Sequence, residues 1–221
     1  MGILIDEYRS LLTGAWIVIE IAACHLTIGF ILGLILASAQ VFGNRFISFT
    51  ASTIQNIIRG IPALVILLLA YFGLTKLIDM SPIVVAIIGL GIRSSAYQSQ
   101  VFRGGLKAID RGQLEAALSI GMSKVQAVRY IIMPQALRLC IGPWTNIFNA
   151  EVKDVSLAYS IGVLEILKRG RFIIRYTHGN SMLIYCTIAL FYFVLVRIGN
   201  TVLYRLEDRL WIPGFERRRV K

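Results

Sequence analysis

Charged side chains are scarce: Asp, Glu, Lys and Arg make up 16% of the 221 residues, too few to cover a soluble surface of that size. Acids are scarcer still, 12 against 23 Lys and Arg, which leaves a net charge of +11. Histidine occurs twice, at His25 and His178, and the two are remote from each other. No Cys or carboxylate cluster has ligand spacing either, so no metal site is expected. Cys24, Cys140 and Cys186 are odd in number, lack CxxC spacing and lie in apolar surroundings, which reads as three free buried thiols. No Lys follows a Gly, so there is no P-loop and nothing on this chain to cradle nucleotide phosphates. Neither a nucleophile–base pair nor a metal pattern appears, which sets an intramembrane enzyme aside. The first residues carry Asp6 and Glu7 and no basic n-region, so no cleavable signal peptide is expected.

Apolar sequence takes up most of the remainder. Hydrophobic residues are 57% of the chain and the mean hydropathy is +0.71. A spanning helix needs about 20 apolar residues, so this length holds about five spans and no sizeable soluble domain. The first span is read from Gly14 to Ala39. Asn44 to Arg59 then suits a helix lying at the membrane interface. The second span restarts at Pro62 and runs to about Leu77, and the third runs from Pro82 to about Phe102. The fourth begins past Pro134, is disturbed at Gly142-Pro143 and ends at Glu151-Val152-Lys153-Asp154. A short extra segment, Ser160 to Leu167, and a basic loop, Lys168 to Arg175, precede the fifth, Ser181 to about Leu203. In such a background basic residues report orientation rather than nucleic acid. The Lys and Arg distribution favours an outer N-terminus, a cytoplasmic C-terminus and a cytoplasmic loop at 110–134. Lys168, Arg169, Arg171 and Arg175 are the exception, and a basic rim there would steer an acidic partner.

That loop is a polar island with two helix signatures. Asp110 with Gln113 and Ser123 with Gln126 have capping-box spacing. Gly121 falls where a left-handed residue ends the first helix, and Pro134 is expected to break the second. Leu114, Leu118 and Met122 form an apolar stripe, with Ala117 and Gly121 as a small-residue strip for close approach by another surface.

Charges inside spans cost roughly 2.5–3.5 kcal/mol at the centre, so each requires a partner or a wet cavity. The candidates are Glu20, Arg93, Glu151, Lys153, Asp154 and Arg197. Lys153 is expected to pair with Glu151 or Asp154. Arg93 suits either a carboxylate-bearing ligand or a salt bridge to Glu20 or Glu151. His25 reads as a satisfied polar group within the bundle, and Arg197 as snorkelling or pairing within its span.

The run Glu115-Ala116-Ala117, then Gly121, then Ile131 and Met133-Pro134 resembles the EAA signature of ABC-importer permeases, with Met133 where that family usually has Leu. Further stretches resemble its polar-amino-acid subfamily: Arg59-Gly60-Ile61-Pro62, Ala96-Tyr97, Phe102-Arg103-Gly104-Gly105, Pro134-Gln135-Ala136-Leu137-Arg138 and Lys153-Asp154-Val155-Ser156-Leu157. Gln100 departs from the usual Glu, Val155 from Thr and Gly142 from Pro. The resemblance implies an all-α membrane protein of MetI-like permease fold. It would have five transmembrane helices, a single permease domain over 1–221, a coupling loop at 110–134 and a cytoplasmic tail at 204–221. It further implies a multi-pass subunit of the cell inner membrane, half of a dimeric alternating-access pathway with an identical or paralogous second permease. ABC ATPase subunits would carry ATP and Mg, an extracytoplasmic binding protein would deliver the solute, and membrane lipids would surround the spans. No cofactor would sit on this chain and no nucleic acid would bind it. Glu115, Ala116, Ala117, Leu118, Gly121 and Met122 would contact the ATPase. The solute would be an amino acid, or a relative such as an opine. On that implication Arg93 receives its carboxylate, Glu151 and Asp154 receive its ammonium, and Tyr97 and Ser156 offer neutral hydrogen bonds. Lys153 lies beside them, and Gln100 in place of Glu moves the expectation towards neutral or acidic solutes. A channel or docking scaffold is the rival class, and it would leave the EAA spacing without a role.

Overall fold

A computed structural model describes residues 2–177 and 181–210, with backbone alone at 2–7 and 177. His178, the Asp6 and Glu7 side chains and the basic end Arg217, Arg218, Arg219 and Lys221 therefore lie outside the described residues. Helices account for the fold: α1 Gly2–Phe42, α2 Arg45–Gly60, α3 Ala63–Leu74, α4 Pro82–Ala108, α5 Arg111–Ser119, α6 Lys124–Ala127, α7 Met133–Asp154, α8 Ile166–Thr177 and α9 Ser181–Arg209. A π segment, Val128–Ile132, leads into α7 and a 3₁₀ turn, Val155–Ile161, follows it.

Local chemistry sets the boundaries. Asn44 caps α2 by accepting from Ile47 N–H at 2.9 Å, and Ser81 caps α4 with Pro82 in the first turn, where a missing N–H costs nothing. The fully buried Glu165 caps α8, accepting the N–H groups of Leu167 and Lys168 at 2.8 Å each. Burial raises its carboxyl above the ordinary carboxylate range, while those two bonds and the Lys168 charge pull it down.

The first long helix lies along α4, because glycines let the backbones approach. A Cβ on Gly29 would stand 2.6 Å from Ser94 Oγ, and one on Gly91 would stand 2.8 Å from Ile28 Cγ2. Small residues at helix crossings serve this purpose in membranes, where tails as apolar as Leu remove any hydrophobic drive to associate. Val18, Ile21, Leu67, Leu90, Val152 and Ile188 form one core where α1, α3, α4, α7 and α9 meet. Phe102, Leu106, Ile132, Ala136 and Cys140 form a second core at the end next to α5. Along α9, Met182, Leu183, Leu190, Phe193, Ile198 and Val202 remain exposed.

Several sequence expectations need correction. The first span extends beyond Gly14–Ala39, since α1 has 41 residues. The second span cannot be α3 alone: 12 residues reach about 18 Å against a hydrocarbon core of about 30 Å. In this stretch only α2 and α3 taken together have the length and apolarity of a crossing, and a bend of 102° between them makes the pair a broken span or a re-entrant loop. Among the described residues α1 and α9 are long and apolar enough to cross by themselves, and the bent pair would be a third crossing. The basic stretch from Lys168 to Arg175 is helical, because Glu165 caps it and Gly170 packs on Ile184 and Ile188 of α9. Pro134 does not break its helix. The chain widens into the π segment, with Met133 N–H reaching Val128 C=O, and Pro134 falls in the first turn of α7. Pro143 likewise stays inside α7. Of the three thiols only Cys140 is buried; Cys24 and Cys186 are exposed on spanning helices. The segment from Tyr204 to Arg209 is helical, as the end of α9.

Candidate functional site

Four ionisable groups meet where α1, α4 and α7 converge. Arg93 Nη1 donates to Glu151 Oε1 at 2.8 Å and lies 2.9 Å from Asp154 Oδ2. His25 Nδ1 bonds the Ile21 carbonyl at 2.8 Å, which turns Nε2 towards Glu151 Oε2 at 3.5 Å. His25 is fully buried, the Glu151 side chain is 2% exposed and that of Arg93 12%. Sequence spacing explains part of this convergence. Glu151 and Asp154 are three residues apart at the end of α7 and share a face, while Arg93 lies near the middle of α4. Tyr97, one turn further on, has its ring 4.6 Å from Arg93 Cζ and 5.3 Å from Arg59 Cζ, and its hydroxyl donates to the Arg59 carbonyl at 3.5 Å. Both cations therefore rest on one aromatic face system.

Arg93 thus has Glu151 as its partner, as one of the two sequence readings held, whereas Glu20 is exposed on α1. Lys153 does not pair with Glu151 or Asp154. It is exposed, because adjacent helix positions face different ways and Arg93 already occupies both carboxylates. Ser156 is half-buried in the 3₁₀ turn just past Asp154. Gln100 stands apart, in a cleft between α4 and α7 lined by Val101, Gly104, Gly105, Leu139 and Cys140. Arg197 is exposed on α9.

A buried polar layer adjoins the cluster, and the sequence reading missed it. Gln98, fully buried, donates through Nε2 to the Leu26 carbonyl at 3.1 Å and to Ser94 Oγ at 2.9 Å. Its Oε1 accepts the Trp144 indole N–H at 2.7 Å. One side chain therefore ties α1, α4 and α7 together beside Arg93. His25 stood out in the sequence as a polar group within an apolar helix and Gln98 could have done so too, but their partners on other helices are 126 and 46 or more positions away and only the fold names them.

At the other end, α5 and α6 form a folded-back pair. Asp110 caps α5 through Gly112 N–H at 2.6 Å rather than through a box with Gln113. Ser123 and Gln126 do make the reciprocal box, at 3.3 and 2.8 Å. Gly121 has φ +86° and open space where a Cβ would go, the left-handed position expected of it. Ala117 is not part of an outward strip: it is 1% exposed, because α5 packs it against α6 and the π segment. The apolar stripe also divides. Leu114 packs with the second core, Met122 is half-buried, and Leu118 is exposed with Glu115, Ala116 and Gly121. Ile120, Val125 and Tyr130 are apolar side chains 77%, 75% and 64% exposed.

Among the described residues no group of three or more His, Cys, Asp or Glu side chains is arranged to hold a metal ion. What the cluster offers is a largely buried cation facing two carboxylates.

Residues 29–212 match the family described as binding-protein-dependent transport system inner membrane component. The chain is 35% identical over 214 residues to the probable amino-acid permease protein YxeN of Bacillus subtilis, covering 94% of this chain and 92% of that one. It is 32% identical over 207 residues to the glutamine transport system permease protein GlnP of Escherichia coli, covering 91% and 93%. Among solved structures, a chain of an amino acid ABC transporter crystallised with histidines superposes with TM-score 0.82 at 30% identity, covering 93% and 96%. A chain of the MetNI methionine ABC transporter, inward facing, shares the fold with TM-score 0.81 at 21% identity, covering 93% and 98%.

Proposed function

We propose, for a chain that belongs to the family of binding-protein-dependent transport system inner membrane components, that its solute is an α-amino acid held at Arg93, Glu151 and Asp154. The chain is a permease subunit of an ABC importer and not its ATPase. It works with ABC ATPase subunits and a second permease. The observation that carries the amino-acid reading is the buried ion cluster itself. A solute carboxylate can replace Glu151 on the Arg93 guanidinium, in the two-pronged geometry that Arg provides and Lys does not. The solute ammonium then takes the released Glu151 and Asp154. The exchange keeps each buried charge beside an opposite one and leaves the net charge of the site unchanged, which limits its cost at this depth.

The rest of the reading follows the same surfaces. Beyond α1, α9 and the bent pair, α4 and α7 supply the remaining crossings, with the N-terminus outside and the loop at 110–134 in the cytoplasm. Glu115, Ala116, Leu118, Gly121 and the exposed Ile120 and Val125 dock on the ATPase, which binds ATP and Mg. ATP-driven closure there is transmitted through the π segment to α7 and so to Glu151 and Asp154. A binding protein on the outer side delivers the solute, and lipids cover the exposed face of α9.

The test is uptake by the complete transporter reconstituted in vesicles with its ATPase, second permease and binding protein. Arg93→Lys and Glu151→Gln should each lower uptake at least about tenfold, with protein level and basal ATP hydrolysis retained. Wild-type uptake in both variants would remove the cluster from the solute path.

A further inference from the structure

Glu151 presents its second oxygen to a histidine whose chemistry is already fixed on the other side. His25 Nδ1 lies 2.8 Å from the Ile21 carbonyl. A carbonyl oxygen only accepts, so Nδ1 must carry a hydrogen. In a neutral ring Nε2 would then be a bare lone pair, 3.5 Å from the Glu151 Oε2 lone pairs. Both atoms are buried without another partner, and two acceptors facing each other away from water repel. One additional proton resolves the contact, either on Nε2 to make imidazolium against carboxylate, or on Oε2 to donate to the ring.

We propose that His25 and Glu151 hold this single proton between them and that His25 thereby sets which amino acids the permease accepts, admitting neutral zwitterions and disfavouring cationic ones. The inference rests on the reading that the solute binds at Arg93, Glu151 and Asp154. The charge arithmetic is short. Arg93 contributes one positive charge, Glu151 and Asp154 two negative ones, and the proton restores balance. A zwitterion adds no net charge to such a site. Without the proton the buried group is one charge negative, and a cationic side chain becomes the favourable guest. Lys153, exposed beside Asp154, and Arg59, on the Tyr97 ring, are the other charges nearby. They are identical in all the variants below and so cancel from the comparison. His25 need not touch the solute; it acts through Glu151 and is a positioning and charge-setting residue.

The experiment is equilibrium binding of radiolabelled glutamine and arginine to the purified, complete transporter in lipid nanodiscs without binding protein. Wild type should prefer glutamine. His25→Gln cannot hold the proton and should shift the glutamine-to-arginine affinity ratio at least about tenfold towards arginine. Adding Glu151→Gln to it removes the uncompensated carboxylate and should return the ratio towards glutamine. General damage to the fold cannot produce that reversal. An unchanged ratio in His25→Gln, with Arg93→Lys still weakening both ligands, would overturn the proposal and leave the solute site standing. If Arg93→Lys weakens neither, the solute-site reading falls and this inference falls with it.

Discussion

Replacing Gln98 with Leu removes a junction rather than a volume. Leu fills nearly the same space, so no large cavity forms, and the cost is polar. Two of the Gln98 bonds cross between helices, to the Leu26 carbonyl of α1 and from Trp144 of α7. Interhelical hydrogen bonds in membrane proteins average about 0.6 kcal/mol and reach about 1.7, so their loss costs about 1–2 kcal/mol. The Leu26 carbonyl keeps its place in the α1 backbone ladder, but the Trp144 N–H loses its acceptor in a half-buried setting. A stranded donor adds about 1–2 kcal/mol. The total is about 2–4 kcal/mol. Denaturation of the purified protein followed by tryptophan fluorescence measures it, and a double-mutant cycle isolates the cause. Trp144→Phe removes the orphaned N–H, so Gln98→Leu should cost about 1–2 kcal/mol less in that background than in wild type. If Gln98→Leu falls within about 0.5 kcal/mol of wild type, or if the two costs simply add, the junction does not hold these helices together.

Three further outcomes are expected. Gly121→Ala places a side chain at φ +86°, at a cost of about 1 kcal/mol; the protein should stay folded while solute-stimulated ATP hydrolysis by the complex falls, and full stimulation would separate the loop geometry from coupling. Burial raises the Glu165 carboxyl in the folded protein, so the folded state holds that proton more tightly than the unfolded one, and its contribution to stability is lost as pH rises through the folded value. Glu165→Gln removes the titration, and thermal melts between about pH 4 and pH 7 should show a flatter dependence than wild type; an identical slope would refute the assignment. With Cys24, Cys140 and Cys186 replaced, a cysteine at Lys124 should react with an impermeant thiol reagent only from the cytoplasm and one at Lys168 only from outside; the reverse pattern would invert the topology.

Local signals were legible only in part: Asp110 caps α5 without the box that its spacing with Gln113 suggests, and Pro134 starts a helix rather than breaking one. Ser123 with Gln126 and Gly121 act on atoms within three residues of themselves, so spacing alone names their roles. The long apolar runs likewise announce α1 and α9, because a spanning helix must be apolar over its whole length whatever it packs against. The EAA spacing singled out the loop at 110–134 for a related reason, since its pattern lies within one short stretch. Which of its residues face outward was not legible. Ala117 is small enough for either role, and only the fold-back of α5 on α6 buries it.

The sequence determined where charge had to be explained, and tertiary structure determined how. An intramembrane Arg93 demands a partner by energetics alone, yet Glu20, Glu151 and an external ligand satisfied that demand equally on paper. The crossing of α4 with α7 chose Glu151 and Asp154, and the approach of α1 through Gly29 and Gly91 brought His25 to the far side of Glu151. Lys153, adjacent in sequence to Asp154, was left exposed by the same geometry. Chain order fixes which groups are present, but a buried charge is neutralised through space, over about 3 Å. That distance is set by helix packing between residues 58 to 126 positions apart.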